Sequence, residues 1–169
     1  VHTFLVPVLG HERGLSATAI GAILGGFALA ATAIRVLMPW LASRLRESVV
    51  IGSAMAATAV LFAAYPFAQP AWAMATLSVL LGLALGSVQP MIMSTLHQMT
   101  PRHRHGEALG LRAMAINGSS VVMPLLFGSA GVLVGTGVVF WLVGAVVGLG
   151  APVAWRLRPP AAAPEPLTN

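Results

Sequence analysis

The stretch "SVVIGSAMAATAVLFAAYPFAQPAWAMATLSVLLGLALGSVQPMIMSTLHQMT" (residues 48–100) decides the fold, because it contains no Asp, Glu, Lys or Arg. As one helix it would extend roughly 80 Å at about 1.5 Å per residue, whereas the apolar core of a bilayer is about 30 Å thick. A segment this long and this apolar has to cross and return. The return point is "YPFAQPAW" (65–72), where two prolines break the helix and aromatic residues suit the membrane–water interface.

The same ruler reads the rest of the chain. No charge occurs between Arg112 and Arg156, and the turn of that second excursion is expected at "GSAGVLVGTG" (128–137). One further crossing begins between Arg13 and Arg35. Spans are therefore expected near 17–42, 48–66, 71–97, 107–129 and 134–156, with the end of another helix at 1–10. The opening "VHTFLVPVLG" has no charged region before its apolar part, so it reads as the last turns of a helix rather than a signal peptide. Residues 159–169 are Pro/Ala-rich and polar, and are expected to form a disordered tail behind a membrane domain at 1–158.

Composition agrees with this reading. The chain is 57% hydrophobic and 8% charged, with mean hydropathy +0.88; a soluble domain carries about 25% charged residues. The expected fold class is an all-α polytopic transmembrane bundle whose first partner is the lipid bilayer. A net charge of +5 raises nucleic acid as a partner. That reading is rejected, because the arginines cluster in short segments between spans, as membrane topology requires. With no cysteine there is neither a disulfide nor a thiolate metal site. Neither a metal nor any other cofactor is expected.

Because both uncharged excursions are round trips, Arg44 and Arg46, Arg102 and Arg104 with Arg112, and Arg156 and Arg158 fall on one side. Only Arg13, beside Glu12, falls on the other. The positive-inside rule makes the arginine-rich side cytoplasmic, with the C-terminal tail. All nine basic residues are Arg, and with so much Ala and Gly this suggests a GC-rich bacterial genome, so the expected location is a bacterial inner membrane.

Lipid gives helices no hydrophobic reason to associate, so small residues must let backbones approach. Four faces have that character: Gly21, Gly25, Ala28, Thr32, Arg35 and Pro39; Gly82, Gly86, Gln89, Met93 and His97; Asn117, Ser120, Pro124 and Gly128; and Gly144 with Gly148. The first is expected to pack inward. Gln89 and Asn117 carry amides that need partners inside a bilayer, either in a cavity or across to another helix. Arg35 is a permanent charge inside an apolar span. It either snorkels to the headgroups or is answered from elsewhere: helix-end carbonyls, Glu107, an acid outside this chain, or an anionic substrate. The chain has no Asp, and its four Glu (12, 47, 107, 165) stand at span ends, in loops or in the tail. His97 reads as interfacial or as a proton relay. Arg112 reads as an interfacial anchor, and His103 and His105 as parts of a solvated loop. No catalytic constellation is visible.

Residues 82–128, "GLALGSVQPMIMSTLHQMTPRHRHGEALGLRAMAINGSSVVMPLLFG", carry a resemblance. A Gly-rich helix with Pro90 leads to a short basic loop with Pro101, then His105, Gly106, Glu107, Ala108 and Gly110, and then a helix with Pro124 and Gly128. This arrangement resembles the C-terminal half of a major facilitator superfamily transporter, from the end of helix seven through helix twelve. The resemblance implies half of a twelve-helix fold, with Pro90, Pro124 and Gly128 as packing or hinge positions. It also implies a missing N-terminal half as partner, and alternating access to an unknown small-molecule substrate near mid-membrane, with proton-coupled efflux as one form. The chain also holds "PWLASRLRES" (39–48), similar to a weaker copy of the family's loop motif: Leu41, Ala42 and Arg44 match, whereas Pro39, Ser43 and Arg46 replace two glycines and the acid. Rival readings are a membrane-embedded enzyme or assembly factor, and a non-functional fragment of a transporter gene.

Without its acid, the 39–48 loop is expected to latch the closed state by docking Arg44 on the negative C-terminal end of a neighbouring helix. Arg44→Ala should therefore shift the balance of inward- and outward-open states, as read by cysteine accessibility from the two sides. An unchanged balance would remove the latch.

Overall fold

The computed structural model describes residues 2–42 and 47–156, so Arg44, Arg46, Arg158 and the tail at 159–169 lie outside the described residues. The described residues form six α-helices: α1 (His2–Glu12), α2 (Ala17–Ala42), α3 (Glu47–Ala64), α4 (Ala71–Met99), α5 (His105–Val134) and α6 (Thr136–Arg156). Five of them, α2 to α6, are long and apolar enough to cross a membrane. An all-helical architecture follows from the solvent. In hydrocarbon each backbone N–H and C=O must find a partner within the segment, and a helix achieves this without a neighbour.

The turns use specific local chemistry. α1 ends with Gly14 at φ +70°. Its N–H bonds the His11 carbonyl at 3.0 Å, and the N–H of Leu15 bonds that of Gly10 at 2.9 Å, the paired closure of a left-handed helix end. Ser16 then caps α2 through Oγ, 3.2 Å from the Ala19 N–H. Between α3 and α4 the two prolines form a short 3-10 turn, Tyr65–Phe67, and an extended Pro70. α4 stops at Thr100, which is extended (φ −106°, ψ 128°) because Pro101 follows it.

The glycine-rich segment at 128–137 differs from expectation. It stays helical through Val134, and Gly135 alone, at φ +87°, reverses the chain into α6. The remaining glycines do not break a helix, since internal hydrogen bonds are the only ones lipid permits there.

Two helix pairs hold the bundle. α2 and α4 run parallel and form its most extensive contact. A Cβ on Gly86 would stand 2.5 Å from Ile34 Cγ2 and 2.7 Å from the Ala31 carbonyl, and one on Gly82 would overlap the Phe27 carbonyl oxygen. α3 and α6 run antiparallel in the same manner. Gly144 faces the Ala59 carbonyl (3.1 Å from a would-be Cβ), Gly148 faces Ala59 Cβ at 3.2 Å, and Gly52 lies directly under the Trp155 indole.

The main core lies toward the Glu12 end, where Leu5, Val6, Leu9, Ile23, Phe62, Tyr65, Leu81 and Phe140 are buried together. A smaller cluster of Met38, Ile51, Met91 and Ala154 closes the arginine-rich end.

One expected face is corrected. Gly21, Gly25, Ala28, Thr32 and Arg35 are exposed rather than packed, and nothing lies within 4 Å of a Cβ built on Gly21 or Gly25. α2 instead turns its neighbouring stripe inward: Ile23, Phe27, Ala30, Ala31, Ile34 and Met38. Bulky side chains on that stripe fill the hollows opened by Gly82 and Gly86, whereas two glycine faces meeting would leave a gap without dispersion contacts. The expected α4 face also divides, with Gly82 and Gly86 buried and Gln89 and His97 exposed.

Gly86→Leu should destabilise the protein by about 1–3 kcal/mol, the cost of overpacking a close contact. Gly118→Leu, where a Cβ meets nothing within 4 Å, should leave it unchanged. Thermal unfolding in detergent micelles distinguishes the two.

Candidate functional site

α5 is the least packed helix: none of the candidate span His105–Ser129 is buried inside the structure. Its chain neighbour α6 meets it beyond the Gly135 reversal, and Phe127 and Gly128 near its end approach the core and Phe4. Between α5, the second half of α4 and the first turn of α1 lies an open cleft of about 890 Å³. Apolar residues dominate its wall, among them Phe4, Ile92, Leu96, Leu111, Ile116 and Met123. Set into that wall are the polar groups of Thr3, Gln89, Arg112, Ser119 and Ser120. A concave apolar surface with a few polar groups is the usual form of a small-molecule site.

The polar groups differ in what they offer. Ser119 Oγ donates to the Ala115 carbonyl at 2.6 Å, and Ser120 Oγ to that of Ile116 at 2.8 Å. Each hydroxyl proton is thus used within α5, and the oxygens keep lone pairs. The Arg112 guanidinium is donor only, and the Gln89 amide is both donor and acceptor. No carboxylate is among the lining residues. The cleft is therefore a positively charged, mainly apolar surface.

Other residues singled out from the sequence stand apart from each other. Asn117 is exposed on α5 and is not among the residues lining the cleft. Pro124 lines it, and Gly128 faces Phe4, whose Cζ would be 3.6 Å from an added Cβ. Pro90 lies inside α4, which continues through it. Arg35 is exposed on α2. Glu107 does not reach Arg35. It forms a two-point ion pair with Arg104, at 2.8 and 2.9 Å, one turn away at the start of α5. That carboxylate raises the Arg104 pKa above its ordinary value, chiefly through the hydrogen bond. The spacing of three on a helix start favours this local pair over a distant one. Arg102 falls in the short 3-10 turn Arg102–Arg104. His97 and His105 pack ring to ring at 5.0 Å, and His105 Nε2 is 2.7 Å from the Thr100 carbonyl.

A polar cluster that the sequence reading missed lies at His2, in the first turn of α1. His2 is buried, with Nε2 3.0 Å from Ser78 Oγ. Ser78 Oγ is 2.7 Å from the Tyr65 hydroxyl, which donates to the Met74 carbonyl at 3.3 Å. His2 also stacks on Phe27 at 4.3 Å, and Tyr65 on Phe140 at 4.8 Å. The sequence clue is a lone histidine in "HTFLVPVLG", but Ser78 lies 76 residues away, so only the fold brings them together.

At the Glu12 end, Arg13 donates to the Ala68 and Pro66 carbonyls, the latter at 2.6 Å. Thr136 Oγ1 donates to Glu12 Oε1 at 2.6 Å. This end's two opposite charges are thereby consumed in tying α1 to the 65–70 turn and to α6.

Arg13→Ala should remove charge-assisted hydrogen bonds from this junction, each worth about 1.5–3 kcal/mol. Faster chymotrypsin cleavage after Phe67, in the 65–70 turn of the solubilised protein, is the expected result.

No curated protein matches the chain. The family model of the Major Facilitator Superfamily matches residues 1–169. With its five membrane-length helices, the chain belongs to the Major Facilitator Superfamily and is an integral membrane protein of a family of transporters, not enzymes.

Proposed function

We propose that this chain is the C-terminal half of a secondary transporter, and that the cleft between α1, α4 and α5 is one wall of its solute path. The observation that carries this reading is the placement of Arg112, Gln89, Ser119 and Ser120 within one otherwise apolar cleft. Such a wall suits a small amphipathic solute bearing an anionic or hydrogen-bond-accepting group. Arg112 supplies the charge, Gln89 orients the solute, and the apolar wall receives its body.

The N-terminal half would close the cleft from the far side. Two features support a partner there. α5 exposes Leu111, Met114, Val121, Leu125 and Leu126 along its length. α2 exposes the small-residue stripe of Gly21, Gly25, Ala28 and Thr32 with Arg35 beside it. A stripe of small residues is suited to close helix contact in lipid, and Arg35 would be answered by a group of the other half. The arginine-rich end is cytoplasmic on this reading, by the positive-inside rule, and the membrane is the bacterial inner membrane. Proton-coupled efflux would need its membrane carboxylate in the N-terminal half, since the cleft wall here has none. The two halves would rock about this site to expose it alternately.

The test is made in everted membrane vesicles carrying the uninterrupted reading frame. Dissipation of an imposed pH gradient is followed as a panel of anionic and zwitterionic solutes is added. Arg112→Ala is expected to weaken the response to an anionic solute at least about tenfold, the equivalent of about 1.4 kcal/mol. Arg104→Ala, whose ion pair lies at the exposed start of α5, should leave it unchanged. Full transport by Arg112→Ala and by Gln89→Ala would exclude the cleft as the path.

A further inference from the structure

A second, partly open cavity of about 330 Å³ adjoins the cleft at the first turn of α1, where Thr3 lines both. Its wall draws on α1, α2, α3, α4 and α6, and it is mostly apolar. Two buried polar side chains line it: His2, 3% exposed, and Thr58, 1% exposed. His2 Nδ1 and Thr58 Oγ1 are the buried side-chain polar atoms without a hydrogen-bond partner among the described residues. Buried polar atoms are nearly always satisfied, and an exception asks for an occupant.

The hydrogen-bond chain behind His2 determines which occupant fits. The Met74 carbonyl only accepts, so Tyr65 donates its single proton to it. The Tyr65 oxygen then accepts from Ser78, whose own proton is thereby used. The Ser78 oxygen accepts in turn, so His2 Nε2 carries the ring proton. In the neutral ring Nδ1 is left as a bare lone pair, an acceptor that requires a donor. Thr58 Oγ1 can either donate or accept.

We propose that this cavity is an internal water site, in which water donates to His2 Nδ1 and hydrogen-bonds Thr58 Oγ1, linking α1 to α3. The size allows it: one water occupies about 30 Å³ and needs two to four polar partners. Both orphaned atoms belong to residues that line the cavity, so its hydrated part is the His2–Thr58 side. The groups facing His2 are Phe27 from α2, Tyr65 from the turn after α3 and Ser78 from α4. Of these only Tyr65 titrates. Arg13 lies beyond Tyr65 on the Pro66 and Ala68 carbonyls. Water thus satisfies a neutral ring, with no charge transferred.

The experiment reads the site and not transport, so it stands or falls separately from the proposed function. The full chain, labelled with ¹⁵N-histidine and reconstituted in lipid bilayers, is studied by solid-state NMR with magnetisation transfer from water. His2→Gln identifies the His2 signals, and exposed His103 serves as the positive control. The expected result is a neutral His2 ring protonated on Nε2, with water transfer to the ring. That transfer should fall at least threefold in Thr58→Val and return in Thr58→Ser. Three results would each overturn the proposal: a proton on Nδ1, no water transfer to His2 while His103 shows it, or transfer indifferent to Thr58→Val. If Thr58→Val does not fold, the wild-type tautomer and water transfer alone decide.

Discussion

The close approach of α2 and α4 at Gly82 and Gly86 is the contact on which the bundle depends. In lipid, apolar side chains gain nothing by leaving one hydrocarbon surroundings for another. What remains is dispersion, which falls away within an ångström of the optimal distance. Two helices adhere only where their backbones come close, and a Cβ at either glycine would meet the backbone of α2. The α3–α6 pair repeats the device with Gly52, Gly144 and Gly148. Between the two pairs stand the large buried side chains, Ile23, Phe62, Leu81 and Phe140.

This pairing explains why α5 is left outside. Once α2 has taken α4 and α3 has taken α6, α5 has no glycine seam engaged, and a Cβ on Gly110 or Gly118 would meet nothing within 4 Å. Its distance from α4 opens the cleft, and its polar residues are displayed rather than packed. A residue such as Arg112 is tolerable there because the cleft is open, whereas a guanidinium among packed helices would need an acid beside it. The second cavity is the reverse case: no arginine or carboxylate lines it, and a hydroxyl chain holds His2 Nε2 while His2 Nδ1 and Thr58 Oγ1 stay unpaired.

The two ends of the bundle treat charge differently. At one, Glu12 and Arg13 are each bonded within the protein, to Thr136 and to the carbonyls of the 65–70 turn. At the other, the Arg104–Glu107 pair is exposed at the start of α5. The first arrangement fastens the junction of α1, α3, α4 and α6. The second keeps Glu107 on its own helix start, paired with Arg104 at the surface.

The sequence by itself determined the number of crossings, the all-helical class and the family resemblance. It could do so because these depend on one-dimensional quantities: the distance between charges, the thickness of hydrocarbon, and the order of glycines and prolines along the chain. It also marked Gly82, Gly86, Gly144 and Gly148 as seams. It did not determine which face of α2 turns inward, because a spacing of four recurs on adjacent stripes and the rotation of a helix is decided by its neighbour. Gly21 and Gly25 were thus indistinguishable from Gly82 and Gly86 until the partner surfaces were known. The same limit applied to the sites. Gln89 and Arg112 were noticed as isolated polar residues, but their sharing of a cleft with Ser119 and Ser120 required the separation of α4 from α5. His2, Ser78, Tyr65 and Thr58 became a cluster only in the tertiary structure, because four distant segments converge there and no local pattern records which distant residue will answer a buried polar atom.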